Sequence, residues 1–257
     1  MMRQATRWLL SAALYTGPLL GVLLTWEAAA RLGFVRALFL PSVTAVLVEG
    51  ANLFRSGDLG GPLLVSLYRA LLGLVIAVVL GTLAGVLMAR MPRLRWWLDP
   101  LVSLAFPAPK IAFVPIFILW FGIDDLSKVL LVAFSCVFPM LIVAYHATTE
   151  MPQRLLWSAR TMGTGDAALL HRVVLPAILP DLFSGLRTTL PIALVTAFTA
   201  EMVAGGGGVG SALMYAQRLF ETASAFAYIL VMLLTGFIAD RLLLALRRWI
   251  IPWQPED

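Results

Sequence analysis

Charge is scarce in this 257-residue chain: Asp, Glu, Lys and Arg together make up 13%, where a soluble domain carries about a quarter. Lysine is nearly absent, with only Lys110 and Lys128. Neither lies in a Gly-x4-Gly-Lys-Ser/Thr loop, so the chain offers no phosphate cradle for a nucleotide. Cysteine is limited to Cys136, set in an apolar run, which excludes a disulfide framework and a cysteine metal site. The two histidines, His146 and His171, have no neighbouring cysteine or paired carboxylates, so no metal site is expected. No Gly-x-Ser-x-Gly elbow is present, and no catalytic constellation emerges.

What is abundant is apolar side chain. Hydrophobic residues reach 61% and the mean hydropathy is +0.92, more than a soluble globule of this size can bury. A bilayer core about 30 Å thick takes roughly 20 apolar residues as helix. Six stretches meet that length: about Leu9 to Ala30, Leu63 to Met88, Leu98 to Trp120, Leu126 to Tyr145, Leu182 to Ala204 and Ala225 to Leu246. The third is interrupted by Pro107, Pro109 and Pro115. None alternates with period two, which argues against a β-barrel. The expected fold is an all-α integral membrane protein, residues 1–257 forming one transmembrane domain. The first stretch has a basic start, Arg3 and Arg7, but exceeds the ~7–15 apolar residues of a signal peptide and reads as a retained span. Tryptophans such as Trp26, Trp97, Trp120 and Trp249 fall at span ends, where aromatic belts form.

The net charge of +5 records topology rather than nucleic-acid binding. A cytoplasmic N-terminus places 11 of the 19 Lys and Arg residues in inner segments, 5 outside and 3 within spans. The positive-inside bias therefore puts both termini in the cytoplasm. Gly33 to Pro62 becomes an outer segment, with room for an interfacial helix around Ser42 to Phe54. The run Gly205 to Gly210 follows a span rather than a strand, so its Gly-x-Gly-x-x-Gly spacing marks a flexible outer hinge and not a dinucleotide site.

Four charges lie in or beside spans. Ionised groups in lipid are costly and tend to face protein or water. Arg69 and Arg187 sit within about two turns of a span end, where snorkelling accounts for them. Lys110, Glu201 and Arg187 are the candidates for a translocation path. Lys110 follows Pro107 and Pro109, where the helix must break and backbone carbonyls are freed. Glu201 is a candidate outer-gate contact or a structural ion pair.

The longest inner connection, about residues 150–180, is not low-complexity. Pro152 can open a helix; Leu155, Leu156 and Ala159 then share one face, with Trp157 and Arg160 projecting elsewhere. Gly163 to Asp166 reads as a turn, Ala167 to Val174 as a second short helix, and Pro176 and Pro180 as its stop. Two short helices joined at Gly163 make a knob suited to a groove on a partner.

The segment Trp157-Ser158-Ala159-Arg160-Thr161-Met162-Gly163, nine residues, then Val173-Val174-Leu175-Pro176 resembles the EAA loop of binding-protein-dependent ABC importer permeases. That pattern is Glu-Ala-Ala, three residues, Gly, nine residues, Ile-x-Leu-Pro. Ala159, Gly163, Leu175 and Pro176 match in place, Val173 stands for Ile, and Trp157 and Ser158 depart from the first Glu and Ala. The stretch from Pro109-Lys110-Ile111 through Trp120-Phe121-Gly122 to Ser127-Lys128, and Ala200-Glu201-Met202, are similar to the nitrate/taurine/sulfonate branch of these permeases.

The resemblance implies a type I ABC importer permease with six spans, multi-pass in a bacterial inner membrane. It would form the path for a small, anionic solute. Its implied partners are a second permease copy in a homodimer, two cytoplasmic ABC ATPases and a periplasmic or lipid-anchored binding protein. ATP and Mg would bind the ATPase partner, and this chain would hold no cofactor. The EAA loop would act as the coupling helix. A self-contained secondary transporter and a non-transporting membrane scaffold are the alternatives. The first usually shows paired broken helices in inverted repeats, and no partner to the broken third span is visible in the second half.

Overall fold

A computed structural model describes residues 17, 18 and 20–253, and among these only helices, turns and connecting segments occur. The chain divides into two compact units, Met1–Gly60 with Ala212–Val231, and Gly61–Ser211 with Met232–Asp257.

In the first unit, helix α1 covers residues 20–31 and α2 covers Val43–Ser56. The Ser42 Oγ accepts the Ala45 N–H at 3.2 Å and caps α2, the standard use of serine at that position. Gly57, at φ 86°, ends it. The two helices are joined by side chains. Trp26 Nε1 donates to the Pro41 carbonyl at 2.9 Å, and Glu27 accepts from Thr44 Oγ1 at 2.9 Å and from Arg31 Nε at 2.6 Å. The helix expected around Ser42 to Phe54 is present as α2.

The second unit holds most of the long helices. These are α3 (Gly60–Arg90), α4 (Pro92–Ala105), a 3-10 turn at Lys110–Phe113, α5 (Val114–Phe121) and α6 (Asp125–Glu150). Short α7 (Gln153–Thr161) and α8 (Asp166–Leu169) follow, then a π-turn at Leu170–Val174 and α9 (Leu175–Ala204). Helices α10 (Val209–Arg218) and α11 (Thr222–Ile250) complete the order, and the stretch Ala212–Val231 that they span belongs to the first unit. Among the described residues four helices are long and apolar enough to cross a bilayer, those at Gly60–Arg90, Asp125–Glu150, Leu170–Ala204 and Thr222–Ile250. The α4–α5 pair, bent by 93°, makes a fifth if taken as one span. Of the expected first span, Leu9 to Ala30, residues 9–16 and 19 lie outside the described residues, and residues 20–30 are helical, within α1.

Close packing of α3 on α6 rests on missing side chains. A Cβ at Gly73 would lie 2.6 Å from Val132 Cβ, and one at Gly81 would lie 2.7 Å from the Val137 carbonyl oxygen and 2.8 Å from Met140 Cβ. At Gly85 it would overlap the Leu141 carbonyl oxygen. The spacing of Gly81 and Gly85 is the small-xxx-small arrangement that lets backbones approach in lipid, where dispersion rather than the hydrophobic effect holds helices together. Against this seam the buried Val86, Met140, Ala144, Val174 and Ile178 form one continuous core. Gly81→Leu is therefore expected to force α3 from α6 and to reduce the yield of monodisperse protein in detergent at least several-fold. Gly61→Leu, at a position with no atom within 4 Å of a Cβ, is the control that leaves it unchanged.

One expectation is corrected. Pro176 and Pro180 do not stop the second loop helix. The chain runs helically from Asp166 through the π-turn into α9, with Pro176 in its first turn and Pro180 inside it. Pro176 has no N–H to bond back into that run, and the π-turn directly before it marks where the regular ladder is interrupted without ending the helix.

Candidate functional site

Three features outside the apolar packing carry chemistry. The first is the break between α4 and α5. Phe106 ends α4, and Pro107 and Pro109 prevent helical continuation, so the Phe106 carbonyl has no backbone partner further on. Lys110 Nζ supplies the hydrogen bond instead. The ammonium also lies 5.6 Å from the Phe106 ring centre and 5.7 Å from that of Phe138. Among the described residues no carboxylate pairs with Lys110. It borders a cavity of about 340 Å³, lined also by Phe106, Ser135, Pro139, Ile192 and Thr196.

The second feature is a buried ion cluster, of which sequence reasoning offered only a structural ion pair at Glu201 and missed Arg69 as its centre. Arg69 is not at an interface by snorkelling: its side chain is 2% exposed. Its Nε and Nη2 donate to Asp125 Oδ1 at 2.8 and 2.6 Å. Its Nη1 donates to Glu201 Oε1 at 2.9 Å and to the Gly207 carbonyl at 2.9 Å, and Nη2 reaches the Gly206 carbonyl at 2.7 Å. Glu201, 0% exposed, also accepts Ser66 Oγ at 2.7 Å and the Gly210 N–H at 3.0 Å. Ser66 Oγ in turn accepts the Val209 N–H at 2.9 Å. The loop from Gly205 to Gly208, in which every residue has positive φ, is thus tied to α3 and α9 rather than hanging free. A Cβ at Gly208 would overlap the Glu201 carboxylate, so glycine is required there for space as well as for φ. Lys128, also buried, donates to the Ile123 carbonyl beside the same loop. Arg187 is the third charge set aside as a path candidate. It pairs with Asp240 at 2.9 Å, across α9 and α11.

The third feature is the inner loop. α7 ends in a Schellman arrangement, with the Gly163 N–H bonded to the Arg160 carbonyl at 3.0 Å and the Thr164 N–H to the Ala159 carbonyl at 3.1 Å. Gly163 takes φ 80° to close it. Leu156 packs on the α6–α9 core, whereas Leu155 is exposed and does not share that burial. Trp157 is 63% exposed, with Ser158 and Arg160 on the surface beside it and Ala159 half-buried. Arg160 lies 3.8 Å from Asp166 across the turn. Val173 and Leu175 are half-buried and Pro176 is exposed where the loop joins α9.

These features belong to a known architecture. The family described as the binding-protein-dependent transport system inner membrane component matches residues 77–252, which takes in the broken span, the inner loop and the glycine turn. The chain belongs to this family. It is 32% identical to the putative aliphatic sulfonates transport permease protein SsuC of Bacillus subtilis (strain 168), over 91% of this chain and 84% of that protein. It is 33% identical to the taurine transport system permease protein TauC of Escherichia coli (strain K12), over 97% and 94%. Among solved structures, a chain of the MetNI methionine ABC transporter in inward-facing conformation superposes with a TM-score of 0.58. That match is at 18% identity over 70% of this chain and 92% of that one, and shows a shared fold. The chain is accordingly a permease subunit of an ABC transporter and a multi-pass inner-membrane protein. A permease component of this family works with ATPase and substrate-binding partners.

Proposed function

We propose that the chain, as one domain over residues 1–257 with six spans and both termini cytoplasmic, pairs with a second copy of itself. Together they form the path by which an organosulfonate such as taurine crosses the inner membrane. The relatives' names support the sulfonate class, and the observation that carries the path is the carboxylate-free Lys110 at the broken span. A periplasmic or lipid-anchored binding protein hands the solute to the outer face. Two cytoplasmic ATPases bind ATP and Mg and hydrolyse the nucleotide, while this chain binds no cofactor and catalyses no reaction. The coupling surface is the 150–180 loop, with Trp157, Ser158, Ala159, Arg160 and Gly163 at its tip. Val173, Leu175 and Pro176 carry its motion into α9. Trp157 takes the place of the usual glutamate, so contact with the ATPase rests on an aromatic anchor and arginines rather than on a carboxylate. Of the path candidates, Lys110 lines the cavity. Glu201 and Arg187 flank the route through ion pairs that hold α3, α9 and α11.

The test is uptake of radiolabelled taurine into proteoliposomes holding the permease, its ATPase and its binding protein. Accumulation is expected only with ATP inside and binding protein outside. Uptake driven by an ion gradient without the ATPase would make the chain a secondary transporter instead. Co-purification with the ATPase but no uptake of any organosulfonate would leave only the scaffold.

A further inference from the structure

The cavity beside Lys110 carries more than a stretch of path. An ammonium has three donors. One is used on the Phe106 carbonyl, and the flanking Phe106 and Phe138 rings offer faces but no negative charge to neutralise the cation. Two donors remain for the cavity. Thr196 is only 5% exposed. It lines the same cavity, and among the described residues its hydroxyl makes no hydrogen bond. Its oxygen is not among the enclosed polar atoms that lack a partner, Thr82 Oγ1 and Arg90 Nη1, so the hydroxyl opens onto the cavity and is available to a ligand there. Ser135 lines the cavity too, but its hydroxyl is already bonded to the Leu131 carbonyl at 2.8 Å. Lys110, Ser135 and Thr196 are the polar side chains of the lining, and the other residues that line it are apolar. At about 340 Å³ the space stands at the small end of ligand pockets, which run from about 300 to 1,000 Å³.

We propose that this cavity is a transient seat for an organic anion with one anionic head and a short apolar stem, the head held between Lys110 Nζ and Thr196 Oγ1 and the stem against Pro139, Ile111 and Ile192. It rests on the organosulfonate reading above and sharpens it, since the lining discriminates by the stem. A bare inorganic oxyanion of similar charge would leave the apolar wall unfilled. Lysine suits a seat that must release: it presents a compact point charge rather than a bidentate fork, and a site on a conduction route must bind weakly enough to let go.

The experiment measures equilibrium binding of butane-1-sulfonate and of sulfate to the detergent-solubilised permease–ATPase complex, without binding protein, alongside uptake of butane-1-sulfonate into proteoliposomes holding the whole transporter. Wild type is expected to bind butane-1-sulfonate at least ten-fold more tightly than sulfate. Lys110→Gln should weaken butane-1-sulfonate binding at least ten-fold, Lys110→Arg should restore it to within about three-fold by keeping the charge, and Thr196→Val should weaken it several-fold. Each variant is first matched to wild type in elution profile and thermal unfolding, and the arginine rescue separates a charge effect from a packing defect. Binding by Lys110→Gln equal to wild type, or equal affinity for sulfate and butane-1-sulfonate, overturns the seat, and so does a wild type that binds neither. Uptake with no loss in Lys110→Gln removes the seat and leaves the permease function standing. Lysine-dependent binding without uptake of any organosulfonate keeps the seat and removes that function.

Discussion

Arg69→Met should destabilise the protein by about 3–5 kcal/mol, the range for removing one partner of a buried ion pair, read as a lower unfolding transition of the purified protein in detergent. The two carboxylates on this guanidinium differ in exposure, and that difference ranks the variants. Asp125 is 54% exposed on its side chain and keeps water when Arg69 is lost, so Asp125→Asn should cost less than about 1 kcal/mol, as for an exposed pair. Glu201 is fully enclosed. Without Arg69 its charge keeps only the Ser66 hydroxyl and the Gly210 N–H, and the Gly206 and Gly207 carbonyls lose their donor. Arg69→Met/Glu201→Met should recover a large part of the loss, because a buried pair exchanged for apolar side chains is often neutral. A single Arg69→Met variant as stable as wild type, or a double variant as unstable as the single, would show that the cluster does not hold the glycine loop.

Why this cluster was hidden in the sequence is a matter of separation. Arg69 meets Asp125 at 56 positions' distance and Gly207 at 138. No local pattern reports such pairings, and an arginine near a span end reads most simply as a side chain reaching for the headgroups. The neighbouring glycines carried a partial signal. A run of four is more than a turn requires, and the excess reflects the Glu201 carboxylate and Lys128 pressing on Gly208 and Gly206. By contrast, the elements that depend on local chemistry were readable. Apolar runs gave the long helices, because span length is set by bilayer thickness. Pro107 and Pro109 gave the bend, because a missing N–H and a ring clash act on adjacent turns. The same rule misled at Pro176, because the π-turn directly before it lets the helical run continue past the missing N–H. The inner loop was legible in its frame, Gly163 to Pro176. Leu155 was not, since which of two adjacent leucines meets the core depends on how α7 is set down on α6 and α9.

Gly163→Arg is expected to uncouple the transporter while leaving its own fold nearly intact, and the local geometry says why both halves hold. The φ of 80° is left-handed, and an L-residue there costs roughly 1–2 kcal/mol, a modest loss in a membrane protein of this size. No atom lies within 4 Å of the position a Cβ would take, so the new side chain meets no clash inside the chain and must project outward. It projects from the knob whose exposed Trp157 and Arg160 are proposed to enter the ATPase cleft, adding a long cation at the turn between α7 and α8. Substrate-stimulated ATP hydrolysis by the reconstituted complex should fall at least ten-fold, and the ATPase should be lost on co-purification. The thermal transition of the permease alone should drop by only a few degrees. Gly163→Asn separates strain from bulk: asparagine tolerates the left-handed region and is short, so it should keep most of the coupling. If Gly163→Arg hydrolyses ATP in response to substrate as wild type does, the loop is not where ATP-driven motion enters. If Gly163→Asn fails as completely as Gly163→Arg, what matters at Gly163 is the backbone turn and not the surface it presents.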